Sequence, residues 1–309
     1  MFDAERTDLD QARLPWVESP RLEEHLTTIQ ADGELRRFAA DLARDGLAVI
    51  DFDDAKTAQL IDAAVLETDV YFKDGVTRVQ DAWRESPAVR ALAIHPKVMR
   101  LLQGAYGREP FAFQTLNFQR GSQQSLHSDA FHFHSEPQRF MCGVWFALED
   151  IHVEAGPLTY RRGSHRLPVL TPQEAGVKPQ RRGGGDYAKA YVPALTKRVD
   201  EAEAPAEIAL LKKGQALVWA ANLAHGGAPI MDPEATRRSL VTHFFFENCL
   251  YHTPMAGSAD GGRLRLRLPS DVATGGWVWP RRNDRRVAIR PQLFAITLLR
   301  RLLNKPLKF

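Results

Sequence analysis

Residues 140–148, FMCGVWFAL, form an unbroken apolar run, short and aromatic-rich, with the composition of a strand buried on both faces. Three runs of the same kind lie around it: FAFQTLNFQ at 111–119, QALVWAAN at 215–222 and SLVTHFFF at 239–246. The stretch from Phe111 to Tyr251 is therefore strand-rich. The first hundred residues follow another period. Leu35, Phe38, Ala39 and Leu42 recur at three- and four-residue spacing and predict a helix over 33–45, after which Gly46 hands over to a strand at 47–52. A second helix follows Asp53 and Asp54, with Leu60, Ile61, Ala64 and Val65 on its buried face, and a third helical stretch covers 88–102 with a break at Pro96. Helices first and strands later give an α+β fold.

The composition fits one elaborated domain. A chain of 309 residues, 44% hydrophobic and 26% charged, buries a substantial core, which excludes wholesale disorder and collagen-like repeats. Its 41 Lys+Arg nearly balance 38 Asp+Glu, so the net +3 gives no reason to invoke a nucleic-acid partner. The two cysteines, Cys142 and Cys249, sit in apolar runs and read as small buried hydrophobes rather than a disulfide or a thiolate zinc site. The first twenty residues are polar and acidic where a signal peptide is apolar, and no run approaches the ~18 apolar residues of a membrane span. These features predict a cytoplasmic protein with no integral membrane segment and leave its oligomeric state open.

Three of the ten histidines crowd into QQSLHSDAFHFHSEP, residues 123–137. On a strand, His127 and Asp129 emerge on one face and can reach a single metal ion. Alone, such a pair is usually a hydrogen-bonded surface feature. Downstream, however, the apolar run 215–221 leads into Asn222-Leu-Ala-His225-Gly226-Gly227, an imidazole at a strand end where glycines allow close approach to a ligand. Two histidines and a carboxylate make the facial triad of non-haem iron(II), with three positions left open, and the HExxH signature of zinc hydrolases is absent. Arg237 and Arg238 then open the next strand, where a guanidinium beside a metal suits a bidentate clamp on a carboxylate. Strand parity sends them to opposite faces. Arg237 shares its face with Ser239, Val241 and His243, which suit a cosubstrate pocket, whereas Arg238 shares its face with Leu240, Thr242 and Phe244.

The ordered set His127-x-Asp129, Gly156-Pro157-Leu158, Arg162-Gly163-Ser164-His165, His225 and Arg237 resembles the phytanoyl-CoA dioxygenase family, over roughly residues 33–255. The resemblance implies a double-stranded β-helix, or jelly roll, with packed N-terminal helices. It implies Fe(II), 2-oxoglutarate and O2 as cofactors, with His127, Asp129 and His225 as metal ligands and catalytic centre. Arg237 then takes the far carboxylate of 2-oxoglutarate, and Trp145 looks like the family's tryptophan beside that cosubstrate. The expected activity is hydroxylation of a small-molecule substrate with release of succinate and CO2. Asp129, where halogenating variants of this chemistry carry a small residue, argues against chlorination. Two departures stand out: Arg162 replaces the proline of the family's Pro-Gly-Ser-His, and Gly227 replaces a serine often found two residues after the distal histidine.

The chain divides into an N-terminal extension (1–32), the oxygenase domain (33–255) with a lid insertion at 171–205, and a basic C-terminal extension (256–309). The insertion carries Arg181, Arg182 and the hinge glycines Gly183–Gly185. After Asp284 the extension holds seven basic and no acidic residues and reads as a terminal helix packed on the body, or one making peripheral membrane contact. Arg263, Arg265 and Arg267 alternate with leucines as the basic face of a strand would. His132 and His134 have the wrong parity for ligands and are assigned to the substrate side. His165 is assigned to a local turn. His243 reads as a core histidine, and His25, His95, His152 and His252 have no constellation around them. Two rival functions remain open: a cupin-type metal enzyme that ignores 2-oxoglutarate, and a non-catalytic β-barrel binding module.

Overall fold

A computed structural model describes residues 14–73, 75–177, 187–257, 264–289, 291 and 306–308. Its N-terminal part is helical: α1 (Leu22–Thr28), α2 (Gly33–Asp45), α3 (Ala55–Asp69), α4 (Pro87–Ala93) and α5 (Pro96–Tyr106), with strands β1 (Leu47–Asp51) and β2 (Arg78–Gln80) between them. Capping explains the boundaries. The Asp32 carboxylate accepts from Leu35 N at the start of α2, and Asp54 accepts from Thr57 N at the start of α3. Gly46 ends α2 in the left-handed conformation at φ 80°. Pro96 takes the first turn of α5, so the expected break is a corner between two helices.

The strands follow as β3 (Pro110–Phe118), β4 (His134–Glu136), β5 (Met141–Ala147), β6 (Leu158–Arg161), β7 (Ala206–Ala209), β8 (Gln215–Ala220), β9 (His225–Gly227), β10 (Ser239–Phe246) and β11 (Leu250–His252). Among the described residues they build a large antiparallel sheet ordered β1-β8-β5-β10-β3-β2, extended at its edge by Leu307–Lys308, and a smaller sheet ordered β7-β6-β9, while β4 pairs separately with β11. This is the expected α+β jelly roll. Strand alternation splits the large sheet's side chains between two cores. Val144, Phe146, Val218, Leu240 and Phe244 pack with Phe38, Leu42, Ile61, Leu92 and Leu101 of the helices. Trp145, Leu217, Trp219 and Val241 face the small sheet's Leu158, Tyr160 and Ala209. The functional residues sit at the open end of this second, inter-sheet core.

Two expectations need correction. Part of the segment read as a loop insertion is ordered: Tyr187–Tyr191 forms a π-helical turn that continues into α6 (Val192–Glu201). Tyr191, Leu195 and Val199 recur at helical spacing and bury against Phe131, Leu170, Ala175 and Val177. The hinge glycines Gly183–Gly185 lie outside the described residues, as does most of the chain after Arg290. Arg265 and Arg267 do not form a basic strand face, and Arg263 lies outside the described residues. Leu266 makes a single bridge to His252, and the Arg267 guanidinium turns inward to lie 4.7 Å over the Phe133 ring. No helix among the described residues is long and apolar enough to cross a membrane.

Gly46 joins the helical layer to the barrel. A Cβ there would come within 2.4 Å of His165 Nδ1, in the turn Ser164–Arg166, and the backbone is already left-handed. Gly46→Ala therefore combines αL strain with overpacking and is expected to cost about 2–4 kcal/mol, measured as a lower midpoint of urea unfolding at unchanged slope.

Candidate active site

His127 and His225 lie far apart in sequence but face each other as an isolated antiparallel pair, each N–H donating to the other's carbonyl at 2.8 Å. Such a pair projects both side chains to one side, and the two imidazole centroids stand 4.2 Å apart. His127 and Asp129 are not successive same-face positions of one strand, as the sequence suggested. After Ser128 the chain turns into a 3-10 turn, Asp129–Phe131, which swings the carboxylate beneath the two imidazoles. Ser128 Oγ donates to Asn222 Oδ1 and to Ala221 O, and Asn222 Nδ2 donates to Leu167 O at 2.7 Å. The loops that carry the three residues are thereby tied to one another.

The glycines after His225 serve a purpose beyond the expected one. A Cβ on Gly226 would meet Gln124 O at 2.8 Å, and one on Gly227 would meet Gln123 N at 2.8 Å. They admit the neighbouring backbone of residues 123–126, and Gly226 also lines the cavity beside the donor set. Ser122 Oγ lies 2.9 Å from where a Cβ of residue 227 would stand.

One ligand atom from each of His127, Asp129 and His225 lies within 4.8 Å of the others, and all three residues are buried. Each imidazole is oriented by its backbone. His127 Nδ1 donates to Ser125 O and His225 Nδ1 donates to Leu223 O, both at 2.9 Å, so each Nε2 keeps a lone pair for the centre. Gln124 Nε2 donates to that lone pair of His127 at 3.1 Å. Burial lowers the His127 pKa to about 4, which keeps it neutral and able to bind a metal. Burial alone would raise the Asp129 carboxyl. The imidazoles of His243, His225 and His127 and a hydrogen bond from the Trp219 indole bring it instead below the usual carboxylate range. Two oriented neutral imidazoles and one carboxylate, with no thiolate, are a donor set suited to iron(II).

A cavity of about 250 Å³ opens beside this set and is lined by Trp145, Phe118, Leu158, Ser122 and Arg237 toward one end. Arg237 is 3% exposed, and its Nε has no hydrogen-bond partner. Among the described residues its NH1 reaches only Gly156 O, at 3.3 Å, and its guanidinium lies over the rings of Phe118 and Trp145. Burial pulls its pKa down to about 10. Arg238 points the other way and pairs with Asp69 and Glu149.

The two substrate-side candidates separate. His132 lines the cavity and meets Tyr187 Oη at 3.1 Å, whereas His134 does not line it, packing on His252 with Nδ1 against Ala130 O. His165 sits in a turn, Ser164–Arg166, but the expected local bonding is not what holds it: its Nε2 donates to Ala43 O at 3.2 Å, far away in α2, and Ser164 Oγ accepts from Ala224 N. Sequence reading took His243 for a core histidine while setting it on the face of Arg237, and it passed over Trp219. His243 lines the cavity, with Nε2 3.6 Å from Asp129 Oδ2 and Nδ1 donating to Gln114 Oε1 at 2.9 Å. Strand parity carried its signal, because it shares the face of Arg237. Trp219 Nε1 donates to Asp129 Oδ2 at 2.8 Å.

The model of the phytanoyl-CoA dioxygenase family matches residues 40–239. The mouse protein called Phytanoyl-CoA dioxygenase domain-containing protein 1 is 29% identical over 99 residues, 29% of this chain and 34% of that protein. The match thus spans about a third of the curated relative. Among solved structures, the epimerase SnoN from nogalamycin biosynthesis, crystallised with Fe3+, alpha ketoglutarate and nogalamycin RO, superposes with a TM-score of 0.53 at 24% identity, covering 71% of this chain and 86% of that one. The carbocyclase SnoK of the same biosynthesis gives 0.54 at 14% identity, covering 73% and 88%. These likenesses concern the fold.

Cobalt(II) added to the metal-free protein is expected to bind one equivalent and quench tryptophan emission, since Trp145 and Trp219 line the same cavity as the donor set. His225→Ala should weaken that binding by at least about 100-fold, because losing a ligand costs more than losing a residue that orients one. Quenching at unchanged affinity in the variant would place the metal elsewhere.

Proposed function

The chain belongs to the phytanoyl-CoA dioxygenase family, and on that footing we propose that it is an Fe(II)- and 2-oxoglutarate-dependent dioxygenase that hydroxylates a small molecule, with residues 33–255 as its catalytic unit. The observation that carries the reading is Arg237. A buried guanidinium that forms no ion pair among the described residues is costly to maintain. A dicarboxylate cosubstrate answers it with a bidentate ion pair. A cupin-type enzyme indifferent to 2-oxoglutarate, or a plain binding barrel, gives no reason for that cation in the same cavity as His127, Asp129 and His225.

His127, Asp129 and His225 would hold the iron. Bound together, iron(II) and 2-oxoglutarate supply the oxidising chemistry, in which one atom of O2 enters succinate as CO2 leaves and the other becomes the substrate hydroxyl. The protein binds, orients and excludes water. Arg237 fixes the far end of the cosubstrate, and Trp145, Phe118 and Leu158 wall that end off. His132, His243, Gln114 and Phe133 line the remainder, where the substrate would present its reacting carbon.

Incubation of the protein with Fe(II), 2-oxoglutarate and air is expected to yield succinate. Arg237→Ala should raise the 2-oxoglutarate requirement at least about tenfold, as loss of a desolvated ion pair costs roughly 2–5 kcal/mol. Arg238→Ala should barely change it. Equal, negligible effects in both variants would remove 2-oxoglutarate from the reaction, and no succinate from the unmodified protein would refute the assignment.

A further inference from the structure

Trp219 touches two members of the metal-binding set without being one. We propose that it is a positioning residue that holds Asp129 as a one-oxygen ligand, an inference that rests on the iron-binding reading above. Its indole N–H is committed to Asp129 Oδ2 at 2.8 Å, and its ring leans on the His225 imidazole with centroids 4.7 Å apart. Trp219 is 2% exposed and Asp129 3%, so the bond is shielded from bulk water. Oδ2 also lies 4.0 Å from His225 Nε2, but its bond to the indole leaves Oδ1, 3.9 Å from His127 Nε2, as the oxygen for the ion.

The sheet is built to admit the indole. His243, Gly143 and Trp219 stand in one row across β10, β5 and β8, by the pairings His243↔Gly143 and Gly143↔Trp219. The middle place has no side chain, and a Cβ there would fall 2.2 Å from the indole ring. Trp219 can therefore lie across Gly143 and reach the carboxylate. The consequence concerns free coordination positions. A triad that gives three ligand atoms leaves three positions on the metal, enough for a two-point cosubstrate and O2. A carboxylate bound through both oxygens would take one of them away.

The test compares Trp219→Phe, which keeps an aromatic ring but loses the N–H, with Gly143→Ala, which keeps the indole but fills its place. Each full-length protein is titrated with cobalt(II), and the cobalt-loaded form is then titrated with 2-oxoglutarate, both followed by visible absorption. Both variants are expected to bind cobalt about 10–100-fold more weakly. Their cobalt spectra should change, and their affinity for 2-oxoglutarate should fall at least about tenfold even at saturating metal. A merely structural tryptophan would lower the thermal midpoint while leaving the spectrum and 2-oxoglutarate affinity of the loaded protein as in the unmodified chain, and that result overturns the proposal. Should neither variant fold, a crystal structure of the unmodified protein with cobalt and 2-oxoglutarate decides it. One-oxygen coordination with the indole on Oδ2 supports the proposal, and two-oxygen coordination defeats it. An unmodified protein that binds no cobalt would refute the iron-binding reading itself, whereas normal binding with indifferent variants would refute only this inference.

Discussion

Two backbone hydrogen bonds, exchanged between His127 and His225, hold the functional centre together. They are the point at which the HxD segment is stitched to the small sheet, since His225 also pairs with Tyr160 of β6. Everything chemical at the site inherits its geometry from that stitch. The pair sets both imidazoles on one side, the turn after Ser128 brings the carboxylate under them, and Asn222 binds the turn to the strand that delivers His225. Gly226 and Gly227 are required because the stitched backbones run too close for side chains between them.

Around this frame the protein buries two opposite charges and treats them differently. Asp129 is surrounded by the Trp219 indole and three imidazoles, so its charge is shared locally. Arg237 donates one long bond to a carbonyl and lies against two aromatic faces. A cation left so poorly answered inside a protein is a standing preference for an anionic guest, and it lies in the same small cavity as the metal-binding set. The cavity thus has a chemical direction, from carboxylate-seeking guanidinium to donor set to a polar wall of His132, His243 and Gln114.

Much of this was legible in the sequence because it depends on periods. The period of 3.6 located α2 and α3, and the period of 2 placed Arg237 inward and Arg238 outward, where it meets Asp69. The same parity put His243 on the pocket face beside Arg237, but an apolar strand around a histidine gives no sign of the carboxylate it meets there. Trp219 was not legible. Its role depends on the register that sets Gly143 beside it, and register between β5 and β8 is a tertiary fact. The helix over Val192–Glu201 was missed for another reason: glycine and mixed charge just before it obscured the apolar positions Tyr191, Leu195 and Val199, whose partners lie elsewhere in the chain.

The bond from Gln124 to His127 Nε2 has a consequence for how a metal arrives. The nitrogen that would bind the ion already has a donor, so loading is an exchange of an amide for a metal rather than the filling of an idle site. Each side of that exchange is a satisfied state. A neutral hydrogen bond is worth only about 0.5–1.5 kcal/mol net, far less than a metal–imidazole bond, so the ion wins wherever it is available. Where it is scarce, Gln124 acts as a caretaker, keeping the histidine neutral, oriented and turned toward the place the ion will take.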